Sequence, residues 1–285
     1  MQDEPLNPTQ SDSERDITSD ELSFVHDAVL LEETVAAVLG VKSLPKQKDG
    51  DQNGLNISGI YVDATFGRGG HSRLLLSQLA DDATLIVFDK DPTAISVAQE
   101  LASKDSRVHV VHDSFATLTD SLAAMGISEV DGLMADLGIS SPQIDDGSRG
   151  FSFMRDGAVD MRMDTSRGQS VAEWLEQVDD ETLANVLYEF GEERHSRRIA
   201  RAIKQMESYE STLELAEVIK EAHPNWQRGK HPATQSFQAM RIFINNELGD
   251  VDDFLAQSIA ILKSGGQLAV ISFHSLEDRR IKQFL

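Results

Sequence analysis

Residues Tyr61–His71 read Tyr-Val-Asp-Ala-Thr-Phe-Gly-Arg-Gly-Gly-His, and residues Leu85–Asp91 read Leu-Ile-Val-Phe-Asp-Lys-Asp. The first stretch has the pattern of a short apolar strand, a glycine turn and the beginning of a helix. The second has the pattern of the next parallel strand, which ends in the carboxylate of Asp89. Together they predict a mononucleotide-binding half-unit, in which glycines let the backbone approach a ligand and the acid accepts two ribose hydroxyls. This pair predicts the fold class, the ligand class and the edge of the sheet that carries the site.

Strand and helix patterns alternate around this pair. The predicted strands are 61–65, 85–89, 108–112 and 132–136, and the predicted helices between them are 72–79, 92–101 and 115–125. Such alternation predicts an α/β fold with a doubly wound parallel sheet and right-handed crossovers. A helical pattern over Asp27–Leu39 precedes it.

The alternation stops between Gln143 and about Pro232, where no convincing strand pattern occurs. A long structured loop over 143–168 is followed by predicted helices at 171–178, 182–190, 192–206 and 213–222. Helices at 237–247 and 251–262, a strand at 267–273 and a helix at 276–285 then complete the pattern. A doubly wound sheet usually has further edge strands, so we expect more strands than this chain carries. We interpret 1–23 as an acidic disordered tail, 24–143 with 233–285 as the nucleotide-binding domain, and 144–232 as an inserted lid loop and helical domain.

Composition excludes several kinds of site and segment. The 285 residues contain no cysteine, which excludes disulfides, thiolate metal sites and thiol nucleophiles. No run approaches the roughly 20 apolar residues of a membrane span, and the acidic N-terminus has no apolar core of a secretory signal. We therefore expect a cytoplasmic protein without a metal site. The net charge of −22 is unusual for a nucleic-acid binder, although a local basic patch can still bind phosphate.

The predicted fourth strand ends at Asp136, where open parallel sheets place catalytic groups. Ser141-Pro142 follows and resembles the Ser/Asp/Asn-Pro-Pro-aromatic motif of enzymes that methylate exocyclic amines on bases. The match is partial, because Gln143 replaces the second proline and no aromatic residue follows it. We predict Asp136, Ser141 and Pro142 as the catalytic group, with the carboxylate and a backbone carbonyl accepting the amine hydrogens. A capping aspartate followed by a turn is the alternative.

Arginines suggest an RNA-binding surface in the insertion. Arg149 and Arg155 are interleaved with Phe and Met in the lid loop, a composition that suits base stacking and phosphate binding. Four further arginines have the spacing of one helix face and form a candidate phosphate track: Arg194, Arg197, Arg198 and Arg201. The alternatives are a loop pinned by Arg–Asp pairs and an ordinary solvated helix face.

Several strings resemble one family closely, the small-subunit ribosomal RNA cytosine-N4 methyltransferases of the RsmH (MraW) type. They are Asp63–Ser72, Asp136–Gln143, Arg149–Asp164, Gly191–Arg194, His231–Thr234 and Ser272–Arg279, with His26–Leu31 before them. The Arg-Gly-Phe-Ser-Phe-Met-Arg and Ser-Phe-His-Ser-Leu-Glu-Asp-Arg strings are highly specific, and the resemblance covers about residues 24–285.

The resemblance implies a class I methyltransferase fold and S-adenosylmethionine as the cofactor. It also implies a cytosine of the decoding region as the substrate, in small-subunit ribosomal RNA or in the assembled subunit. The implied cofactor contacts are Gly69, Gly70, His71, Asp89, Phe115, Asp136 and Gln143. Three departures are the acidic N-terminal extension, a long loop at 42–58 and the family's C-terminal segment, which we expect after Leu285 and do not find.

The sequence leaves other functions open. A nicotinamide-dependent dehydrogenase could use the same half-unit, but Ser72 stands where the third glycine of G-x-G-x-x-G belongs and no second nucleotide-binding half follows. A non-catalytic RNA-binding or assembly factor could keep the fold without the reaction. Within methyl transfer, the absent cysteine favours the N4 amine over carbon 5, whose methylation requires covalent attack, normally by a thiolate. The oligomeric state stays undetermined.

Overall fold

The computed structural model describes residues 28–45, 54–224 and 231–285, so the tail predicted at 1–23 lies outside the described residues. Five parallel strands form one sheet in the order β3-β2-β1-β4-β5. They are β1 (Ile60–Asp63), β2 (Thr84–Asp89), β3 (Val108–His112), β4 (Val130–Asp136) and β5 (Leu262–Ile271). The chain builds outward from β1 to β3 and then returns to the other side of β1. Open α/β sheets bind ligands at the carboxyl edge of such a switch point.

Twelve α-helices occur in the described residues. They are α1 (Leu31–Val38), α2 (Gly70–Leu76), α3 (Pro92–Lys104), α4 (Leu118–Ala124), α5 (Ser141–Asp145), α6 (Val171–Gln177), α7 (Asp180–Gly191), α8 (Ser196–Ile203), α9 (Thr212–Ala222), α10 (Ala233–Ile244), α11 (Glu247–Ile261) and α12 (Ser275–Phe284). None of these helices is long and apolar enough to cross a bilayer.

The sheet is covered by helices on both faces, which confirms the predicted α/β class. Alternate residues of one strand enter different clusters: Tyr61 packs with α1, α2 and α3, whereas Val62 packs with α4 and α11. This follows from the period of two along a strand. Phe88 and Phe254 are fully buried in the second layer, and each contributes about 1.5–3 kcal/mol by leaving water.

The helices between β4 and β5 surround a third apolar cluster. It contains Trp174, Leu187 and Ile199, and it also takes Phe237 and Met240 from α10. Three of these helices, α6, α7 and α9, are capped at their N-termini by a side chain. The caps are Ser170, Asp179 and Ser211, each of which accepts a hydrogen bond from a backbone N–H three residues later. We keep 144–232 as a proposed inserted unit, and α10 joins its core to the sheet domain.

One predicted helix differs from the structure. The sequence predicts a helix over 192–206, but Glu192 has φ +53° and ends α7, and α8 begins only at Ser196. The left-handed conformation of Glu192 interrupts the helical backbone at this position. The prediction that Arg194 lies on one helix face with Arg197, Arg198 and Arg201 is therefore wrong, since Arg194 precedes α8.

Candidate active site

A cavity of about 340 Å³ lies at the carboxyl edge of the sheet, beside the switch point between β1 and β4. Most predicted cofactor and catalytic residues line it: Gly70, His71, Asp89, Phe115, Asp136, Ser141, Pro142 and Gln143. Gly69 is buried in the turn and does not line the cavity. The tertiary structure therefore brings together side chains from β2, β4, α2 and α5.

The glycine loop is held from below by Asp63 at the end of β1. Asp63 is 2 % exposed, accepts the Ser72 hydroxyl at 2.6 Å and accepts the Thr65 amide at 3.1 Å. Burial raises the pKa of Asp63, although these hydrogen bonds oppose the rise. Asp63 therefore fixes the path of the loop rather than contacting a ligand.

Glycine is required where this loop turns. Gly69 has φ +74°, and a Cβ there would lie 2.5 Å from the Phe66 ring. Gly67 has φ +54°, and a Cβ there would meet nothing within 4 Å. Gly67 lines the cavity and therefore leaves open space where a ligand can approach the backbone.

Asp89 stands at the end of β2, as expected for a ribose-binding acid. One carboxylate oxygen accepts the Gly67 amide at 2.7 Å, and the other accepts the Asp91 amide at 2.8 Å. Burial raises the pKa of Asp89 to about 6, with the two amide bonds opposing the rise. Each oxygen keeps a second lone pair, so the carboxylate can still accept hydroxyl donors from the cavity.

Asp136 ends β4 and carries an unsatisfied acceptor. Its Oδ1 is buried and has no hydrogen-bond partner among the described residues, and its Oδ2 lies 3.9 Å from Nδ1 of His71. Burial raises the pKa of Asp136 to about 6; His71 opposes this rise, and Asp63 and Glu277 add to it. A buried acceptor without a donor calls for a donor from a ligand.

His71 is a neighbour of Asp136 inside the protein. Its Nε2 lies 3.2 Å from the Val29 carbonyl, which can only accept, so Nε2 carries a proton and Nδ1 faces Asp136. The ring is 7 % exposed. His71 therefore sets the electrostatics of Asp136 from one side.

The residues after β4 make hydrogen bonds within the protein that the sequence does not predict. Gln143 accepts the Ser140 amide at 2.9 Å and donates to Asp91 at 2.8 Å, which leaves one amide hydrogen and one lone pair. The Pro142 carbonyl accepts the Asp146 amide at 3.0 Å within α5. This carbonyl keeps a second lone pair, so its role as an acceptor for a substrate amine stays a prediction. Ser141 lines the cavity at the first position of α5.

The lid arginines have different environments. The Arg149 side chain is 13 % exposed, and its guanidinium donates to Asp91 at 2.8 Å and to the carbonyls of Arg162 and Met163. We correct the prediction that Arg149 contacts RNA, because its side chain pins the lid loop to the helix cap of α3. Arg155 is 60 % exposed, beside Asp145.

The four arginines around α8 are all exposed. Among the residues that the structure describes, none of the four has an ion-pair partner within 4.0 Å. They are Arg194, Arg197, Arg198 and Arg201. Arginines without acidic partners remain available to phosphate groups.

Glu277 is a cavity residue that the sequence pattern does not single out. It is 1 % exposed, lines the cavity from α12 and accepts the Phe273 amide at 2.9 Å. Burial pushes its pKa up, but hydrogen bonds from His274 and the Phe273 amide outweigh this and lower the pKa. The signal was present, because an acid three residues after His274 occupies the capping-box position of a helix.

The charge of the cavity fits a cationic ligand. Seven acidic residues line it, against two lysine or arginine residues: the acids are Asp89, Asp91, Asp113, Asp136, Glu247, Asp250 and Glu277, and the bases are Arg68 and Lys90. Lys90 is bound to Asp250. Three arginines that do not line the cavity, Arg149, Arg167 and Arg241, pair with Asp91, Asp113 and Glu247. The remaining negative charge favours a ligand that carries a positive centre. It disfavours a pyrophosphate.

Comparison with known proteins adds independent information. Residues 23–285 match the family model of the MraW methylase family. The chain is 89% identical to the ribosomal RNA small subunit methyltransferase H of Psychrobacter cryohalolentis, over 97% of this chain and 81% of the relative. It is 55% identical to the protein of the same name from Acinetobacter baylyi, over 91% of this chain and 81% of the relative.

A solved structure of a putative rRNA methylase from Clostridium thermocellum shares 20% identity over 31% of this chain and 50% of its own, with a TM-score of 0.26. That likeness is too limited to bear on the fold. The family match covers nearly the whole chain and agrees with the sheet, the glycine loop and the acid-lined cavity. The chain belongs to the MraW methylase family.

Proposed function

We propose that this chain transfers a methyl group from S-adenosylmethionine to the exocyclic N4 amine of a cytosine in the decoding region of small-subunit ribosomal RNA. The relatives are named for methylation of the small-subunit RNA. The observation that carries the proposal is the buried Oδ1 of Asp136, which has no partner among the described residues and lies at an acid-lined switch point.

The cavity suits S-adenosylmethionine, which supplies an electrophilic methyl group on a positively charged sulfur when bound. Gly67 leaves its backbone open to the cavity, and Asp89 keeps lone pairs for two ribose hydroxyls. Phe115 lines the cavity beyond the end of β3, where an adenine would follow the ribose. The surplus of carboxylates stabilises the positive charge.

Asp136 then acts on the amine. Its free oxygen accepts one amine N–H, which draws the nitrogen lone pair out of conjugation with the ring and points it across the cavity. A pKa of about 6 leaves Asp136 ionised at neutral pH yet basic enough to take the proton that the amine loses. Alignment of this kind can contribute about 7–11 kcal/mol to a reaction in favourable cases.

The RNA would lie on the exposed arginines. Arg155 and the four arginines at α8 are exposed, so they can contact phosphates through bidentate hydrogen bonds. The target base would have to leave its stack to reach Asp136, as bases do in other enzymes that modify them. A cytoplasmic location, where small subunits are assembled, belongs to this proposal.

Two other functions fit less well. A nicotinamide-dependent dehydrogenase would have to place a pyrophosphate in a cavity lined by seven acidic residues. An assembly factor without catalysis would have no use for a buried carboxylate oxygen that lacks a partner in the described part of the chain.

The decisive experiment is a tritiated-methyl transfer assay on small ribosomal subunits from a strain that lacks the enzyme. We expect incorporation into one cytosine, with N4-methylcytosine as the product after nuclease digestion. Binding of subunits without methyl transfer would support the assembly factor and contradict the proposal. Calorimetry with S-adenosylmethionine and a titration with NADH separate the two cofactor classes.

A further inference from the structure

The sheet order determines from which side a base can reach Asp136. Along the carboxyl edge the strands run β3, β2, β1, β4, β5. The adenine and ribose positions proposed above lie beyond β3 and β2, and Asp136 ends β4. A cofactor held at these positions would extend along the edge from β3 to β4, and the space left for a substrate base would then be at β5.

The end of β5 carries an exposed aromatic ring. Phe273 follows β5 by two residues, lines the cavity and is 56 % exposed. Its Cδ2 would lie 3.5 Å from a Cβ on Gly138, so the ring stands against the backbone just after Asp136. A large apolar side chain is therefore exposed at the edge of the cavity.

The other aromatic residues that line the cavity are occupied. Phe66 is 3 % exposed. Phe115 packs edge-on against Phe254, with 5.4 Å between ring centroids. Of the three phenylalanines of the cavity, Phe273 alone offers a large exposed surface.

The backbone of Phe273 is fixed although its ring is exposed. Oε2 of the buried Glu277 accepts the amide of Phe273 at 2.9 Å and that of His274 at 3.3 Å. An exposed apolar ring on a rigid backbone loses little entropy when a base packs on it.

The same segment contacts the turn that precedes α8. Glu192, at the turn before α8, accepts the Ser275 hydroxyl at 3.0 Å and pairs with Arg279 at 3.3 Å. These contacts place the turn that leads to Arg194 next to α12. RNA phosphates bound to the exposed Arg194 would therefore lie near the N-terminus of α12, which begins two residues after Phe273.

We propose that Phe273 is the platform on which the target cytosine stacks while Asp136 holds its amine. The proposal rests on the function given above and adds the residue that selects a flipped-out base. Glu277 is its positioning residue, because it holds the Phe273 backbone.

The test compares Phe273→Leu, which keeps an apolar side chain, with Phe273→Trp, which keeps an aromatic face. We expect Phe273→Leu to lower kcat/KM for small subunits on the order of 10- to 100-fold, the loss of one base–aromatic stack. Phe273→Trp should restore most of the rate, and its added emission should be quenched by a short decoding-region RNA. Affinity for S-adenosylmethionine and the unfolding temperature should not change. Ile259→Ala, a 70 % exposed apolar residue on α11, is the control without effect.

Wild-type rates in Phe273→Leu would overturn the inference and leave the proposed function intact. An equal loss of cofactor affinity in that variant would also overturn it, since a base platform does not touch the cofactor. If the wild-type chain transferred no methyl group, the proposed function would fail. Quenching of the Phe273→Trp emission by RNA would then still support stacking, and its absence would overturn the stack as well.

Discussion

Asp136 has two features that each destabilise the folded protein and that a purely structural residue would not have. Its carboxylate is buried enough to have a pKa of about 6, and one oxygen has no partner among the described residues. Selection for stability alone would favour an uncharged side chain, because a buried charge without compensation is unfavourable. The position is explained by a donor that arrives with the substrate.

Asp136→Asn should abolish methyl transfer while it stabilises the protein. The folded-state pKa of Asp136 lies above its ordinary value, so the folded protein holds the proton more tightly and its stability falls as pH rises through about 6. Asparagine carries no charge and removes this loss. We expect a gain of about 1–2 kcal/mol at alkaline pH, reduced by the solvent that still reaches the side chain. Urea unfolding and the tritium assay measure both effects. Asp120→Asn, an exposed aspartate of α4, should change neither.

The methyl-transfer rate should rise with pH and then level off. The carboxylate form of Asp136 is the acceptor, so activity is lost as pH falls through its pKa. That pKa is about 6 in the free protein and shifts lower beside a cationic cofactor. A pH profile of kcat at saturating cofactor should therefore show its acidic limb at or below about 6. Asp89→Asn should weaken cofactor binding but keep this limb, and loss of the limb in that variant would assign it to Asp89 instead.

Among the elements, the glycine loop belongs to the proposed cofactor site and α8 belongs to the proposed RNA-binding surface. The loop adopts left-handed backbone at Gly67 and Gly69, which sequence alone signals only as a cluster of glycines. The arginine surface depends on the break at Glu192, which separates α8 from α7.

Gly69→Ala should reduce both stability and cofactor affinity. The φ of +74° is unfavourable for alanine, and the new methyl group would meet the Phe66 ring at 2.5 Å. The backbone strain alone costs about 1–3 kcal/mol, and relief of the clash would displace the loop. Calorimetry and urea unfolding report the two effects. Gly126→Ala is the control, because Gly126 has a similar φ of +72° but open space where the Cβ would lie. This variant should lose less stability than Gly69→Ala and should keep its affinity for the cofactor.

Replacement of Arg197 and Arg201 by glutamine should weaken RNA binding, because it removes the electrostatic contribution of their contacts with phosphates. Both are exposed on α8. Each lost phosphate contact should reduce the slope of log affinity against log salt by about 1. Filter binding at several salt concentrations measures this slope. Lys104→Gln, an exposed base on α3 in the nucleotide-binding half, is the matched control. An unchanged slope in the double variant would place the RNA elsewhere.

The whole molecule carries a net charge of −22, yet its proposed partner is a polyanion. Long-range repulsion must therefore be overcome by a local basic surface and by screening. The same charge opposes the compact state through self-repulsion.

Added sodium chloride should affect folding and RNA binding in opposite directions. Screening of the acidic surface should raise the unfolding temperature, while competition at the arginines should lower RNA affinity. Thermal unfolding and filter binding over one salt series test both. A fall in unfolding temperature with salt would show that specific ion pairs outweigh the self-repulsion.

Much of the sheet could be predicted because its signals are local. β3 has the predicted bounds, and β2 begins one residue early, since short apolar runs between turn residues define strands without tertiary context. Helix ends were less predictable. The helix expected over 192–206 is shorter, because the backbone at Glu192 turns left-handed, and composition does not encode that turn.

The sequence by itself determined the α/β class, the glycine loop and the acids at the ends of β2 and β4, because these depend on residues close together along the chain. Only the tertiary structure decided that Arg149 points inward to Asp91, and that Glu277 and Phe273 border the same cavity as Asp136. Those relations join residues about 60 to 140 positions apart, and only the packing of the sheet brings them within contact distance.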